Sequence, residues 1–430
     1  MKFIADLHIH SKFSRATSRD MTFDNLAYWA KAKGISLVAS GDFTHPEWFF
    51  LTRQKLEPSG NGFFRLKKIN PPANGFLKNL SISRDDVHFI LSTEVSLVYS
   101  KKGKVRKIHL LLLVPDLESA EKINQRLSGL GNLRADGRPV LGLDAKIFLK
   151  MIADICPRSI VIPAHIWTPW FSLFGANSGF DSIEECFEEM TPFIFALETG
   201  LSSDPPMNWR LSALDRYALV SNSDAHSPSR LGREANAFET EFSYNGLLAA
   251  LKNRDPQRFL YTIEFFPEEG KYHYDGHRKC DVVFSPRESR RTNNLCPRCG
   301  KKLTIGVLHR VEELADREPH EVPPGKIPFK NLIPLNEIIA EALGKTAECQ
   351  SVWEVYFRFI HEFGNEHRIL TEVPIGELAR IQPEKISLGI DRMRKGLVHI
   401  EPGHDGYYGR ISLFSGDESK ETTEGQLSLF

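Results

Sequence analysis

Phe3-Ile4-Ala5-Asp6-Leu7-His8-Ile9-His10 opens the chain. The run is apolar enough for a buried β-strand, and it ends in His-x-His. Side chains two apart on a strand point to one side, so His8 and His10 reach the same point at the strand's end. One such pair means little by itself. Its weight comes from repetition, because later strand-like runs carry Glu94, His109, His165, and Asp224 with His226. A chain built this way is a scaffold that gathers strand ends.

From residue 1 to about 255 the pattern alternates. Strand-like apolar runs cover 3–9, 35–41, 88–99, 107–114, 159–166, 193–199 and 217–223. Helix-like segments cover 22–33, 117–128, 144–155, 181–190, 207–215 and 244–253. Continuous apolar strands alternating with amphipathic helices predict an α/β domain with a parallel sheet, and about seven such units predict a barrel. Residues 57–76 hold several Gly and Pro and no period, which predicts a long loop on the metal-bearing rim.

The chemistry is expected at the C-terminal ends of these strands, where barrel loops surround a common axis. The candidate metal ligands are His8, His10, Asp42, His45, Glu94, His109, His165, Asp224 and His226. Imidazole plus carboxylate suits zinc first, with manganese, magnesium or iron as alternatives. So many donors exceed one ion and predict two or three. Clustered ions clamp a phosphate, lower the pKa of a bound water to near ~7 and stabilise a leaving oxygen. Asp224, Glu94 and His226 are the candidate catalytic residues. Cys156 and Cys186 sit in apolar helical settings, so no nucleophilic cysteine competes.

Asp6-Leu7-His8-Ile9-His10, Gly41-Asp42, Glu94, His109, Pro163-Ala164-His165 and Ser223-Asp224-Ala225-His226 resemble the PHP family of metal-dependent phosphoesterases. The resemblance implies a distorted (β/α)7 barrel with a trinuclear site. It assigns His8, His10, Glu94 and Asp224 to a first metal, Glu94, His109 and His165 to a second, and His226 to a third. The chain departs from the family pattern at Arg15-Ala16, where an acid or histidine is usual. It departs again at Asp42-Phe43, where the usual Asp-His is replaced and His45 follows two residues on.

A separate module, 256–318, follows. His277-x2-Cys280 and Cys296-Pro297-Arg298-Cys299-Gly300 are paired-ligand turns at the spacing of a closed tetrahedral zinc site. Four filled positions leave none for substrate, which gives this zinc a structural role. Residues 271–310 hold ten Lys/Arg against three acids, although the whole chain of 430 residues has net charge zero. Arg278, Lys279, Arg290, Arg291, Arg298, Lys301 and Lys302 are candidate contacts to a nucleic-acid backbone.

Pro319-His320-Glu321-Val322-Pro323-Pro324-Gly325 reads as a linker into a helical domain, 319–414. Helices are predicted at 335–343, 350–363, 374–380 and 384–395, with the aromatic stripe of 350–363 as core. Residues 415–430 are polar and acidic until Gln426-Leu427-Ser428-Leu429-Phe430. That pentapeptide is similar to the motif that docks bacterial repair proteins on the sliding clamp. It makes Gln426, Leu427, Leu429 and Phe430 candidate clamp contacts. No run approaches the ~18 apolar residues of a membrane span, and no signal peptide is expected ahead of the first strand. Six cysteines clustered this way fit a reducing compartment, so a cytoplasmic, nucleoid-associated location is expected.

Gly41-Asp42-Phe43-Thr44-His45-Pro46, Asp275-Gly276-His277-Arg278-Lys279-Cys280, the second cysteine turn and Leu303-Thr304-Ile305-Gly306-Val307 narrow the resemblance to the endonuclease Q family. That resemblance covers almost the whole chain. It implies incision of DNA on the 5′ side of uracil, hypoxanthine, xanthine or an abasic site. The rim stretch Trp167-Thr168-Pro169-Trp170-Phe171-Ser172-Leu173-Phe174 reads either as a base pocket or wedge (Trp167, Trp170, Phe171, Phe174) or as a loop packed on the barrel. The rival activity is a PHP-type phosphatase of a small phosphorylated metabolite, with the zinc module only a staple.

Overall fold

A computed structural model describes residues 1–72, 75–381 and 383–414. Its frame is an eleven-stranded mixed sheet. In chain order the strands of the first region are β1 (Lys2–Asp6), β2 (Leu37–Ala39), β3 (Leu56–Pro58), β4 (Phe64–Leu66), β5 (His88–Lys101), β6 (Lys104–Val114), β7 (Val140–Leu141), β8 (Ile160–Pro163), β9 (Ala196–Glu198), β10 (Ala218–Val220), β11 (Ala235–Glu239) and β12 (Phe259–Glu264). β1 is parallel to β2, and β2 to β5. The fully parallel expectation fails from there on. β5 and β6 form a long antiparallel hairpin, β6 runs antiparallel to β8, and β11 lies antiparallel to both β1 and β12. The reason is local. Lys102 and Gly103, both at positive φ, reverse the chain in two residues, far too short for a parallel crossover.

Among the described residues, β9 and β10 pair only with each other in the backbone ladder. Side chains tie β10 to its neighbours. Asn222 Oδ1 accepts from the Leu7 amide at 2.9 Å, and Asn236 Oδ1 accepts from the Ser221 amide at 3.0 Å. These buried amides explain why Ser221-Asn222-Ser223 is polar yet fully buried. A parallel bridge between Ile9 and Ala225 then brings the ends of both strands together.

Residues 57–76 are not one structureless loop. β3 and β4 form a small hairpin whose Phe64 pairs with Phe89 of β5. The alternation Leu56, Phe64, Leu66, all buried, was the signal. Helix 117–128 matches its predicted bounds and starts at Asp116, which accepts from the Ser119 amide at 2.7 Å. Helix 244–253 does the same through Ser243. The helix expected at 181–190 is α-helical only over Ile183–Phe187, and continues as a 3-10 turn containing Pro192.

The sheet runs past residue 255. β12 extends it, a small hairpin of β13 (Asp275–His277) and β14 (Val282–Phe284) follows, and β15 (Phe329–Asn331) returns to pair with β12. The helices Leu335–Leu343, Gln350–Phe363, Glu366–Thr371, Ile375–Leu378 and Lys385–Arg394 then pack on one another, and Gln350–Phe363 and Glu366–Thr371 meet the sheet's flanking helix Phe23–Lys33. Trp29 meets Trp353 at 5.3 Å, and Phe76 stacks on Phe357 at 5.6 Å. The aromatic stripe is therefore core, shared between the two regions. Lys33 Nζ lies 2.5 Å from Glu366 inside that seam. Arg392 and Arg394 donate to the carbonyls of Leu413, Leu370 and Ile369. Among the described residues no helix is long and apolar enough to cross a membrane.

Candidate metal centre

Two groups of ligand atoms converge, and Glu94 belongs to both. His8 and His10 follow β1, and Asp224 follows β10. Glu94 Oε2 lies 3.5 Å from His8 Nε2 and 3.2 Å from His10 Nε2, and Asp224 Oδ1 lies 3.1 Å from His10 Nε2. The other oxygen, Glu94 Oε1, lies 2.7 Å from His109 Nδ1 and 3.1 Å from His165 Nε2. Glu94 and His109 are not at strand ends as expected. They sit in mid-hairpin, where His109 faces Ser96, two residues from Glu94, so both side chains share a face.

The donor set fits divalent metals. His8 Nε2, His10 Nε2 and Asp224 Oδ1 are buried side by side, yet none makes a hydrogen bond. Buried polar atoms normally find partners. Atoms aimed together without them suit coordination. Behind them, carboxylates fix the rings. His8 Nδ1 donates to Glu198 at 3.0 and 3.1 Å, and His10 Nδ1 to Asp42 Oδ1 at 3.1 Å. With Nδ1 held by a carboxylate, Nε2 is the atom left to face a metal.

Burial pushes the Glu94 and Asp224 carboxyls up, but the imidazoles around them, and Arg138 beside Glu94, bring both below the ordinary range. Both are carboxylates at neutral pH. Burial also works against charge on His8 and His10, yet Glu198 and Glu94 for one, Asp224 and Asp42 for the other, raise them above the ordinary imidazole range. Burial lowers His109 to about 4.

Asp42 and His45 stand outside both groups. Asp42 is taken up by His10, the Ser11 amide at 2.6 Å and Ser14 Oγ at 2.8 Å. His45 stacks on Phe13 at 4.4 Å and opens helix Pro46–Lys55. His226 lies at the edge, its ring 4.6 Å from that of His10, with Nδ1 donating to the Asp224 carbonyl at 2.8 Å. Asp42, His165 and Asp224 all have positive φ (45°, 32° and 46°), a conformation costly for non-glycine residues and concentrated at functional sites. Gly200 permits the His165 turn, since a Cβ there would lie 2.5 Å from His165 Cβ.

Two residues of the site were not among those expected. Glu198 closes β9 and obeys the same strand-end pattern as the ligands, so the signal was present. Arg138, whose Nη1 donates to Glu94 Oε2 at 2.9 Å, comes from the aperiodic stretch Asp136-Gly137-Arg138-Pro139.

The second cysteine turn and the first converge independently. His277, Cys280, Cys296 and Cys299 place their ligand atoms within 4.8 Å of one another. Cys296 N donates to Lys301 O at 2.7 Å, and Gly300 N to Cys296 O at 2.8 Å, which closes the turn. Burial acts to raise the Cys296 thiol, but the Arg298 and Cys299 amides outweigh it and bring it to about 6, the thiolate that a metal takes. Arg278, Lys279, Arg290, Arg291, Arg298, Lys301 and Lys302 are all exposed. Arg290 is paired with Glu312 at 3.2 Å.

The rim stretch 167–174 divides. Trp167 and Phe174 are buried at 1% exposure, with Trp167 Nε1 donating to Asn208 at 2.8 Å. They are core, and cannot form a wedge. Phe171 is half-buried and its ring lies 5.0 Å from that of His109. Trp170 is exposed. The clamp-like residues Gln426, Leu427, Leu429 and Phe430 lie outside the described residues.

Residues 334–397 match the family described as the MJ0043 C-terminal domain. The protein MJ0043 of Methanocaldococcus jannaschii is 38% identical over 260 residues, which are 58% of this chain and 31% of that protein, so the chain spans about a third of that relative's length. Protein YqxK of Bacillus subtilis (strain 168) is 29% identical over 423 residues, covering 95% of this chain and 99% of that protein. Among solved structures, the lesion-specific endonuclease PfuEndoQ from Pyrococcus furiosus matches at 32% identity and TM-score 0.83, covering 100% of both chains. Endonuclease Q in complex with a 27-mer duplex carrying an abasic lesion at its active site matches at 32% identity and TM-score 0.82, over 99% of this chain and 100% of that one. With that identity maintained over the full length and the fold shared throughout, the chain belongs to the endonuclease Q family.

Proposed function

We propose that the protein is a DNA repair endonuclease that hydrolyses the phosphodiester 5′ to an abasic site or a deaminated base (uracil, hypoxanthine or xanthine). The observation that carries this is Glu94, whose two oxygens face two separate ligand groups. A carboxylate placed between two ligand groups could serve two ions, and a pair of ions would clamp the attacking and leaving oxygens of a phosphoester. In this reading His8, His10, Glu94 and Asp224 hold one ion, and Glu94, His109 and His165 the other. Bound divalent metals would supply an activated water and charge stabilisation at the phosphate. Asp42 is a positioning residue behind His10 and not a ligand. His226, with Nδ1 committed to the Asp224 carbonyl, offers Nε2 at the edge to take or return a proton. Arg138 balances charge at Glu94 and reaches the surface.

The strands from β1 to β11 are read as a distorted barrel over 1–255. The module 256–318 is read as a structural zinc site whose exposed cations track the DNA backbone, and 319–414 as the helical support. The tail 415–430 is read as a tether to the bacterial sliding clamp, raising effective concentration on DNA. The test is incision of end-labelled duplexes carrying one abasic site, uracil or hypoxanthine, with and without chelator. Metal-dependent cuts on the 5′ side of the lesion are expected. Release of phosphate from small phosphomonoesters, with no cut DNA, would favour the phosphatase instead.

A further inference from the structure

Two exposed aromatic stretches flank Lys271 and Tyr272 of the zinc module, Trp170 on Tyr272 and the turn of Tyr407 and Tyr408 on Lys271. Trp170 comes from the loop after His165 and is 43% exposed. Its ring meets Tyr272 of the zinc module edge-on at 5.5 Å. Tyr407 and Tyr408, 51% and 74% exposed, sit on a turn contributed by the C-terminal region. That turn is fixed to the zinc module. Gly406 N donates to Lys271 O at 3.0 Å, Arg278 N to Asp405 Oδ2 at 2.5 Å, and Thr304 Oγ1 to Asp405 Oδ1 at 2.6 Å. Asp405 and Gly406 take φ of 39° and 92°, which a tight tip requires. Lys271 Nζ lies 4.4 Å from the Tyr408 ring centre, and the Arg278 guanidinium 5.7 Å from that of Tyr407.

The patch connects to the ligands. Thr168 Oγ1 touches both His165 Nδ1, at 3.2 Å, and the Trp170 carbonyl, at 3.0 Å. The His109 amide donates to the Phe171 carbonyl at 3.1 Å. Arg310, buried on helix Val307–Leu314, pins the far end of this loop through the Phe174 and Phe180 carbonyls and Asp181. Exposed rings held this firmly contribute nothing to the core.

We infer that Trp170, Tyr407 and Tyr408 form a platform on which unpaired bases of DNA stack beside the lesion, with Lys271 and Arg278 holding the backbone of the same nucleotides. This rests on the DNA reading above. The cations on the rings decide the occupant. A polyanion with flat π-faces satisfies rings and cations together, whereas an apolar peptide face would bury Lys271 and Arg278 without partners. Bases must leave the helix to stack there, so the platform stabilises an opened duplex around the lesion.

The test uses the full-length metal-loaded protein and three variants: Trp170→Ala, the double variant Tyr407→Ala/Tyr408→Ala, and the double variant Tyr407→Phe/Tyr408→Phe. Each is first matched to wild type in circular dichroism and zinc content. The substrates are an abasic duplex and the same lesion inside a bubble of unpaired bases. For the alanine variants, kcat/KM on the duplex should fall about tenfold or more, since each lost stack is worth about that factor. On the bubble the loss should be of the same order, because the unpaired bases still stack on the same rings. The phenylalanine variant, which keeps both rings, should resemble wild type. A second readout does not depend on cleavage. With 2-aminopurine beside the lesion and chelator present, wild type should change the fluorescence on binding and the alanine variants should not. Alanine variants that match wild type in fluorescence overturn the platform and leave the patch to a protein partner. Unchanged kcat/KM on both substrates overturns it too. A wild-type fluorescence change without incision under any metal would uphold the platform while sinking the endonuclease reading.

Discussion

Both carboxylate oxygens of Glu198 lie on His8 Nδ1, at 3.0 and 3.1 Å. Glu198 is fully buried and also accepts from Asn222 Nδ2 at 2.8 Å and the His165 amide at 2.8 Å. It thus sets the ring of one candidate ligand and the backbone of another. Partners of this kind typically contribute roughly 10- to 100-fold in metal affinity or activity. Glu198→Ala should lose that much metal affinity, read by titration with a chelator, with Glu198→Gln retaining part of it. Unchanged affinity in the alanine variant would remove Glu198 from the site.

Asp224→Ala should abolish incision and leave DNA affinity within a few fold. Asp224 Oδ1 faces His10 at 3.1 Å in the candidate ligand group, while the exposed cations of 271–310 lie elsewhere in the chain and, on the proposed function, would supply most of the binding. Gel-shift and incision assays on one preparation separate the two. A parallel collapse of binding would place Asp224 in substrate recognition.

Cys296→Ser should release the module's zinc and unfold residues 271–316, because binding a structural metal is folding free energy in so small a unit. The small buried cluster of Val282, Cys296 and Leu303 is all the module has as a core of its own. Limited proteolysis should cut inside this span while the sheet survives. Unchanged zinc content would disprove the ligand set.

Lys33→Met should destabilise the fold by about 3 kcal/mol, measured by urea denaturation, because it strands a buried Glu366 carboxylate. Glu366 keeps donors from Tyr356 Oη at 2.6 Å and the Leu335 amide at 3.0 Å, which places the cost at the lower end for such pairs. Glu366→Gln in the same background should recover part of the loss. A variant as stable as wild type would mean that the seam does not depend on this pair.

Stability should fall as pH rises from about 5 to 8 through Glu264. Burial, with Asp204 adding to it, pushes its carboxyl up to about 8. A folded-state pKa above the unfolded value of ~4.3 means the folded chain binds more protons in that window. The contribution is whole below the unfolded pKa and is lost as pH climbs through the folded one. Glu264→Gln should flatten the dependence in denaturation curves taken at several pH values, and a slope unchanged by this variant would assign it to other groups.

Much of the centre was legible because strand geometry is strict. His8 and His10 could be paired from spacing alone, and Asp224 followed from its place after a buried strand. The same rule could not separate an atom that faces a metal from one that stands behind a ligand. Asp42 and Glu198 occupy equivalent strand ends, yet both turn their oxygens to a histidine Nδ1. Glu94 and His109 were identified as residues but misplaced, because Lys101-Lys102-Gly103-Lys104 was not read as a hairpin turn. Trp167 and Trp170 show the other limit. An aromatic-rich stretch does not say which ring turns inward. Arg138 had no periodic signal at all.

The seam between the sheet and the C-terminal helices also has a mechanical meaning. Trp29 against Trp353, Lys33 on Glu366, and Gly34, where an added Cβ would fall 2.3 Å from Asn365, join the two regions through one core. A seam clasped like this ties the first helix to the C-terminal helices through shared packing, so the two regions engage a common ligand as joined surfaces. If duplex DNA is to bring a phosphate to Glu94 and a base to the ring-bearing turn at once, the DNA must bend or open. The stiffness of the double helix then becomes a filter. A nick, gap or mismatch beside the lesion lowers the bending cost and should speed engagement, whereas a stiff A-tract there should slow it.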